Sequence, residues 1–136
     1  MSKIISASIV ILLLSSCVNF LAQKNFIRPA EIEVSQDFVQ GSEDIPLLIG
    51  MEKISEESLG FDSASGSIIS SSYTTNLTEK QIRNFYLKTL PQMGWDIVKN
   101  VEKGSSFKRE NENLEIEFLQ ENNKLIIRFF ISSTSN

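Results

Sequence analysis

Side chains able to do covalent or acid–base chemistry are scarce in this chain. Its 136 residues include one cysteine, Cys17, and no histidine. A thiol–imidazole couple, a serine–histidine relay and an imidazole-rich metal site therefore have no parts to be built from. Ser70, Ser71 and Ser72 stand together, but they fall in a run of isoleucine, serine and threonine that reads as the polar surface of a strand. Carboxylates crowd the interval from Glu31 to Asp62, where Glu33, Asp37, Glu43, Asp44, Glu52, Glu56 and Glu57 face only Lys53 as counter-charge. They lack the regular oxygen-ligand spacing around a glycine turn that a calcium loop needs, so they read as a solvated acidic approach to the domain. Neither a nucleophile motif nor an acid pair stands on a rigid element. Catalytic residues, bound metal and cofactor are all expected to be absent, and the chain is not expected to be an enzyme.

Cys17 is distinguished by what precedes it. Lys3 opens a short basic start, residues 4–14 are largely apolar, and Ser15 and Ser16 lead into the cysteine. The apolar run is shorter than the roughly 20 residues that a spanning helix requires, so it reads as a leader. Leu14-Ser15-Ser16-Cys17 resembles the lipobox of bacterial lipoproteins, in which the cysteine becomes the first mature residue and carries diacylglycerol and an amide-linked acyl chain. The resemblance implies a signal peptide over 1–16, lipidation of Cys17 and attachment to a membrane through that lipid. Acyl chains contribute about 0.8 kcal/mol per buried methylene, which makes two or three of them a firm anchor. Ordinary secretory cleavage after Ala22 would put bulky Phe20 where a small residue is required. By the sorting rules of such lipoproteins, Val18 in place of an aspartate implies the outer membrane rather than the inner one. No cysteine remains for a disulfide after export. Loss of Lys3 makes the mature chain more acidic than the whole-chain net charge of -4, so a nucleic-acid partner is not expected.

Behind the leader, residues 17–43 read as a lipidated start and flexible spacer, interrupted by Pro29 and carrying a brief strand over 32–34. A single domain is expected over 44–132, with 133–136 as a tail. A strand over 67–75 puts Ile69 and Tyr73 on one face and Ile68 on the other. Thr78 followed three residues later by Gln81 is a capping box, and it opens a helix over 79–90. Ile82, Phe85, Tyr86, Thr89, Leu90 and Met93 form its apolar stripe, while Lys80, Arg83, Asn84 and Lys88 look outward. Pro91 and Gly94 end it.

Next, Trp95, Ile97, Lys99 and Val101 share one strand face, with Asp96, Val98, Asn100 and Glu102 opposite. A hairpin through Lys103-Gly104 returns Phe107 to the core, and strands over 114–118 and 124–132 follow. The expected architecture is an α+β two-layer fold, with one main helix packed on a four- to five-stranded, mainly antiparallel sheet. Its core is expected to contain Ile82, Phe85, Tyr86, Leu90, Trp95, Phe107, Phe118 and Phe129. On the reverse face Val98, Ile126 and Phe130, with Leu119, are more apolar than solvent requires. They are the candidate partner-binding residues, unless the chain's own residues 45–54 cover them.

From Phe85-Tyr86 through Leu90-Pro91 to Gly94-Trp95 the chain resembles a family of small secreted or lipidated envelope proteins of alphaproteobacteria, over about 44–131. That resemblance implies a fold and a compartment and no activity. The expected function is a noncatalytic envelope lipoprotein acting as an accessory or scaffold through contacts with an envelope protein. A module binding a lipid or hydrophobic small molecule between helix and sheet is the alternative.

Overall fold

Antiparallel pairing organises the chain. A computed structural model describes residues 32–135, with residues 55–58 described by backbone alone. Strands β1 (Val34–Phe38) and β2 (Pro46–Leu48) form a two-stranded sheet. The main sheet contains β3 (Met51–Ser63), β4 (Gly66–Thr75), β5 (Asp96–Val101), β6 (Gly104–Arg109), β7 (Glu112–Glu121) and β8 (Lys124–Thr134). Its order is β3-β4-β8-β7-β6-β5, and every neighbouring pair is antiparallel. The helix α1 (Glu79–Gln92) carries the chain from β4 to the far edge at β5, and a meander then returns strand by strand to pair β8 with β4. This is the α+β two-layer arrangement, with six strands in the main sheet. The additional strand is β3, whose acidic sequence reads as solvated approach but which pairs with β4 along the edge.

The helix boundaries follow from local chemistry. Thr78 Oγ1 accepts from the Gln81 backbone N–H at 3.3 Å, and Gln81 Oε1 accepts from the Thr78 N–H at 3.0 Å, which completes the capping box. Pro91 does not end the helix; it occupies the last turn, and Met93 is the C-cap. The stop comes from Gly94 at φ +87°, where the Gly94 N–H bonds to Pro91 O and the Trp95 N–H bonds to Leu90 O. This pair of bonds is a Schellman motif, and its left-handed residue favours glycine. At the other end of the sheet, Gly66 lets β4 and β8 approach closely, since a Cβ there would meet Ser133 O at 2.0 Å. Asn122 and Asn123, both at positive φ, make the two-residue turn between β7 and β8.

The core lies between helix and sheet. Ile82, Tyr86 and Leu90 from α1 are buried with Tyr73, Phe107, Leu114, Ile116, Phe118, Ile127 and Phe129 from the sheet and with Trp95. Phe85 packs partly buried against them, so every residue assigned to the core lies in it or against it. The Tyr86 ring meets Phe129 edge-on at 5.5 Å, and Phe129 meets Tyr73 at 5.7 Å.

Two features depart from the strand and spacer pattern. Within 32–43, Val34–Phe38 is a strand and Val39 is fully buried, while Ile45, Leu47 and Leu48 join the helix-side core. The Tyr86 hydroxyl donates to Pro46 O at 2.8 Å. Residues 45–48 therefore pack beside the helix and not over the reverse face. The second departure is a bulge in β5 between Ile97 and Lys99. Ile97 pairs with core-facing Phe107, but beyond the bulge it is Asn100 that pairs with core-facing Ser105, while Lys99 pairs with Ser106 on the reverse face. One extra residue in an edge strand reverses the alternation that follows it.

Candidate functional site

The face of the sheet away from α1 carries the candidate site. Residues paired across strands point to the same face. Phe61 pairs with Ile68, and Leu59 with Ser70. Ile68 in turn pairs with Ser132, and Ser70 with Phe130. Leu59, Phe61, Ile68 and Phe130 thus gather at one end of the reverse face, where Leu59, Phe61 and Ile68 are 71%, 77% and 56% exposed. Phe130 is half-buried.

A shallow groove continues from this patch across the sheet. Ile68 and Phe130 line its first part together with Asn113, Glu115 and Ser132. The last three residues also line the next part, which reaches Ser106 and Val98. The bulge leaves Val98 64% exposed at that end. Of the residues named from sequence for this face, Phe130 and Val98 therefore flank one groove from opposite ends. Ile126 differs, being only 6% exposed. It sits in the ladder between Thr74 and Leu119.

Leu59 and Phe61 escaped the sequence reading because they follow a run of acids. The signal that reveals them is their alternation just before the Ser63-Ala64-Ser65-Gly66 turn.

Charge on this face is mixed. Glu115 lies opposite Phe130 and Glu117 opposite Arg128, and Arg128 Nε donates to Ser72 Oγ at 3.2 Å. On the helix side, two arginines act as fasteners. Arg109 stacks 4.3 Å above the Trp95 ring and pairs with Asp44 and, at 2.7 Å, with Glu112. The Arg109 hydrogen bond holds the Asp44 carboxyl below its ordinary pKa, and the same pairing raises that of Arg109. Burial pushes the Tyr86 phenol far above its usual value.

Arg83, expected to look outward, instead reaches the β5–β6 turn. It donates to Glu102 O at 2.6 Å and Val101 O at 2.7 Å while pairing with Glu79 at 2.6 Å. Its i,i+4 carboxylate partner and the carbonyls left open by the turn explain the difference.

Among the described residues, no group of three or more Cys, Asp or Glu side chains is placed to hold a metal ion. No helix among them is long and apolar enough to cross a membrane. Cys17, Val18 and the leader lie outside the described residues. No protein-family model, no curated protein and no solved structure matches the chain.

Proposed function

We propose that the chain is a bacterial envelope lipoprotein, anchored through a lipidated Cys17 on the outer membrane in preference to the inner one. Its domain works without catalysis, as an accessory or scaffold that holds another envelope protein against the sheet face away from the helix. The observation that carries this reading is the adjacent trio of Leu59, Phe61 and Ile68, each more than half exposed. Covering such a patch with a partner contributes about 25 cal/mol per Å² of apolar surface removed from water. The ring packing of Tyr86, Phe129 and Tyr73 between helix and sheet supports a solid core over the hydrophobic-ligand alternative.

Two measurements test the two halves of the reading. Cells fed a clickable fatty acid should label the wild-type protein and not Cys17→Ser, which should also leave the membrane fraction. Continued acylation of that variant overturns the anchor. A photo-crosslinking residue at position 68 should yield a discrete adduct with an envelope protein that disappears when Phe61→Glu is added. The same crosslinker at position 88, on the exposed side of the helix, should yield none. Equal adducts from both positions, or none at 68, overturn the surface.

A further inference from the structure

We infer that the recess running along β6 on the face away from the helix binds a phosphoethanolamine group, a primary ammonium joined to a phosphate. This goes beyond the protein-contact reading, whose residues Leu59 and Phe61 stand on β3 at the opposite edge of the sheet. In the ladder Val101 pairs with Gly104 and Gly104 with Glu117, while Lys99 pairs with Ser106 and Ser106 with Glu115. Residues paired in this way share a face, so β5 and β7 form two walls and β6 the floor between them. The floor is low because a Cβ at Gly104 would meet Ile116 O at 2.5 Å. Close approach of β6 to β7 keeps that position bare, and Ser106 adds only a hydroxyl. The resulting recess has a volume of about 210 Å³, and Lys103 from the β5–β6 turn also lines it.

Charge selects the ligand. Lys99 and Lys103 stand on one side of the floor, and Glu115 and Glu117 on the other. The strands that carry the two walls lie two ladder spacings apart, roughly 9–10 Å, and among the described residues no ion pair joins either lysine to either glutamate. Arg128, across the ladder on the far side of Glu117, is turned to Ser72 Oγ. A zwitterion laid across the floor completes both walls at once. Its ammonium donates to the two carboxylates, and its phosphate, with several acceptor oxygens, accepts from the two lysines and from the Ser106 hydroxyl.

The test follows backbone amide resonances of the full chain in micelles of an uncharged detergent. Soluble phosphoethanolamine should shift the amides of Gly104 and Ser106 saturably, whereas ethanolamine, inorganic phosphate and phosphocholine should each bind about tenfold more weakly or worse. Phosphocholine keeps both charges, but its methylated nitrogen has no N–H to donate. Lys99→Gln and Glu117→Gln should each weaken binding by a similar factor while leaving the melting temperature nearly unchanged. Ser106→Leu, which fills the floor, should abolish it. Doping the micelles with phosphatidylethanolamine, with phosphatidylcholine as control, identifies the source of the group. The same shifts from the doped lipid assign a lipid headgroup, and a response to the soluble compound alone assigns a free solute.

Equal binding of inorganic phosphate or phosphocholine overturns the inference. So does the absence of a saturable shift from both the soluble compound and the doped lipid. Unchanged affinity in Lys99→Gln and Glu117→Gln would overturn it as well, since the two walls would then take no part.

Discussion

Arg83 Nη1 donates a 2.9 Å hydrogen bond to Asn100 Oδ1, joining the first turns of the helix to a strand residue that only the β5 bulge brings round to the helix side. The guanidinium also lies 4.6 Å from the centroid of the Phe118 ring. One side chain therefore ties α1, the β5–β6 turn and the core together. Replacement of Arg83 by Met should destabilise the domain by about 2 kcal/mol, because charge-assisted hydrogen bonds are lost and turn carbonyls reopen. Urea unfolding checks this. A double-mutant cycle with Asn100→Ala should show coupling between the two positions.

Acid stability should depend on Asp44. Its folded-state pKa is depressed by Arg109, so the contribution of the pair is fully present above the unfolded carboxylate pKa and is lost as pH falls through the folded value. The stability difference between wild type and Asp44→Asn should therefore shrink on acidification from about pH 7 to about pH 3. Thermal unfolding at a series of pH values measures it, and a pH-independent difference would remove the ion pair as its source.

Ser71 should be better as alanine. Its Oγ is buried on the core face opposite Phe129 without a hydrogen-bond partner among the described residues. Removing an unsatisfied buried hydroxyl while keeping the Cβ should raise stability by about 1 kcal/mol. A loss on Ser71→Ala would mean that the hydroxyl is satisfied after all.

Two aromatic substitutions in the core should separate packing from hydrogen bonding. Phe129→Ala deletes the ring shared by Tyr73 and Tyr86 and should cost about 3–5 kcal/mol. Tyr86→Phe keeps the ring and leaves Pro46 O unpaired, so it should cost about 1 kcal/mol. Comparable losses from the two would contradict the ring packing described.

Charge placed on the reverse face should divide its residues by role. Ile126→Glu puts a carboxylate into a nearly closed position and should unfold the domain or cost several kcal/mol, on the order of 3. Ile68→Glu should leave the melting temperature within a few degrees and abolish partner crosslinks from this face. Circular dichroism melts run beside crosslinking distinguish the two effects.

Local rules carried much of the fold. The Thr78–Gln81 cap, the Ile82–Tyr86–Leu90 stripe, the Asn122-Asn123 turn and the alternation from Leu114 to Ile131 each depend on residues within a few positions of one another, so sequence alone determined the helix, the meander and the two-layer class. Tertiary structure decided what depends on distant partners. It recruited the acidic β3 through backbone pairing with β4, turned Arg83 inward to meet the β5–β6 turn, seated Ile45–Leu48 beside Tyr86, and let one bulged residue exchange the faces of Lys99 and Asn100. The candidate surface is of this second kind. Leu59, Phe61, Ile68 and Phe130 come from three strands, and only the β3-β4-β8 register gathers them. Hydrophobic periodicity reports which side of its own strand a residue takes, whereas the identity of the strand beside it is set by long-range pairing.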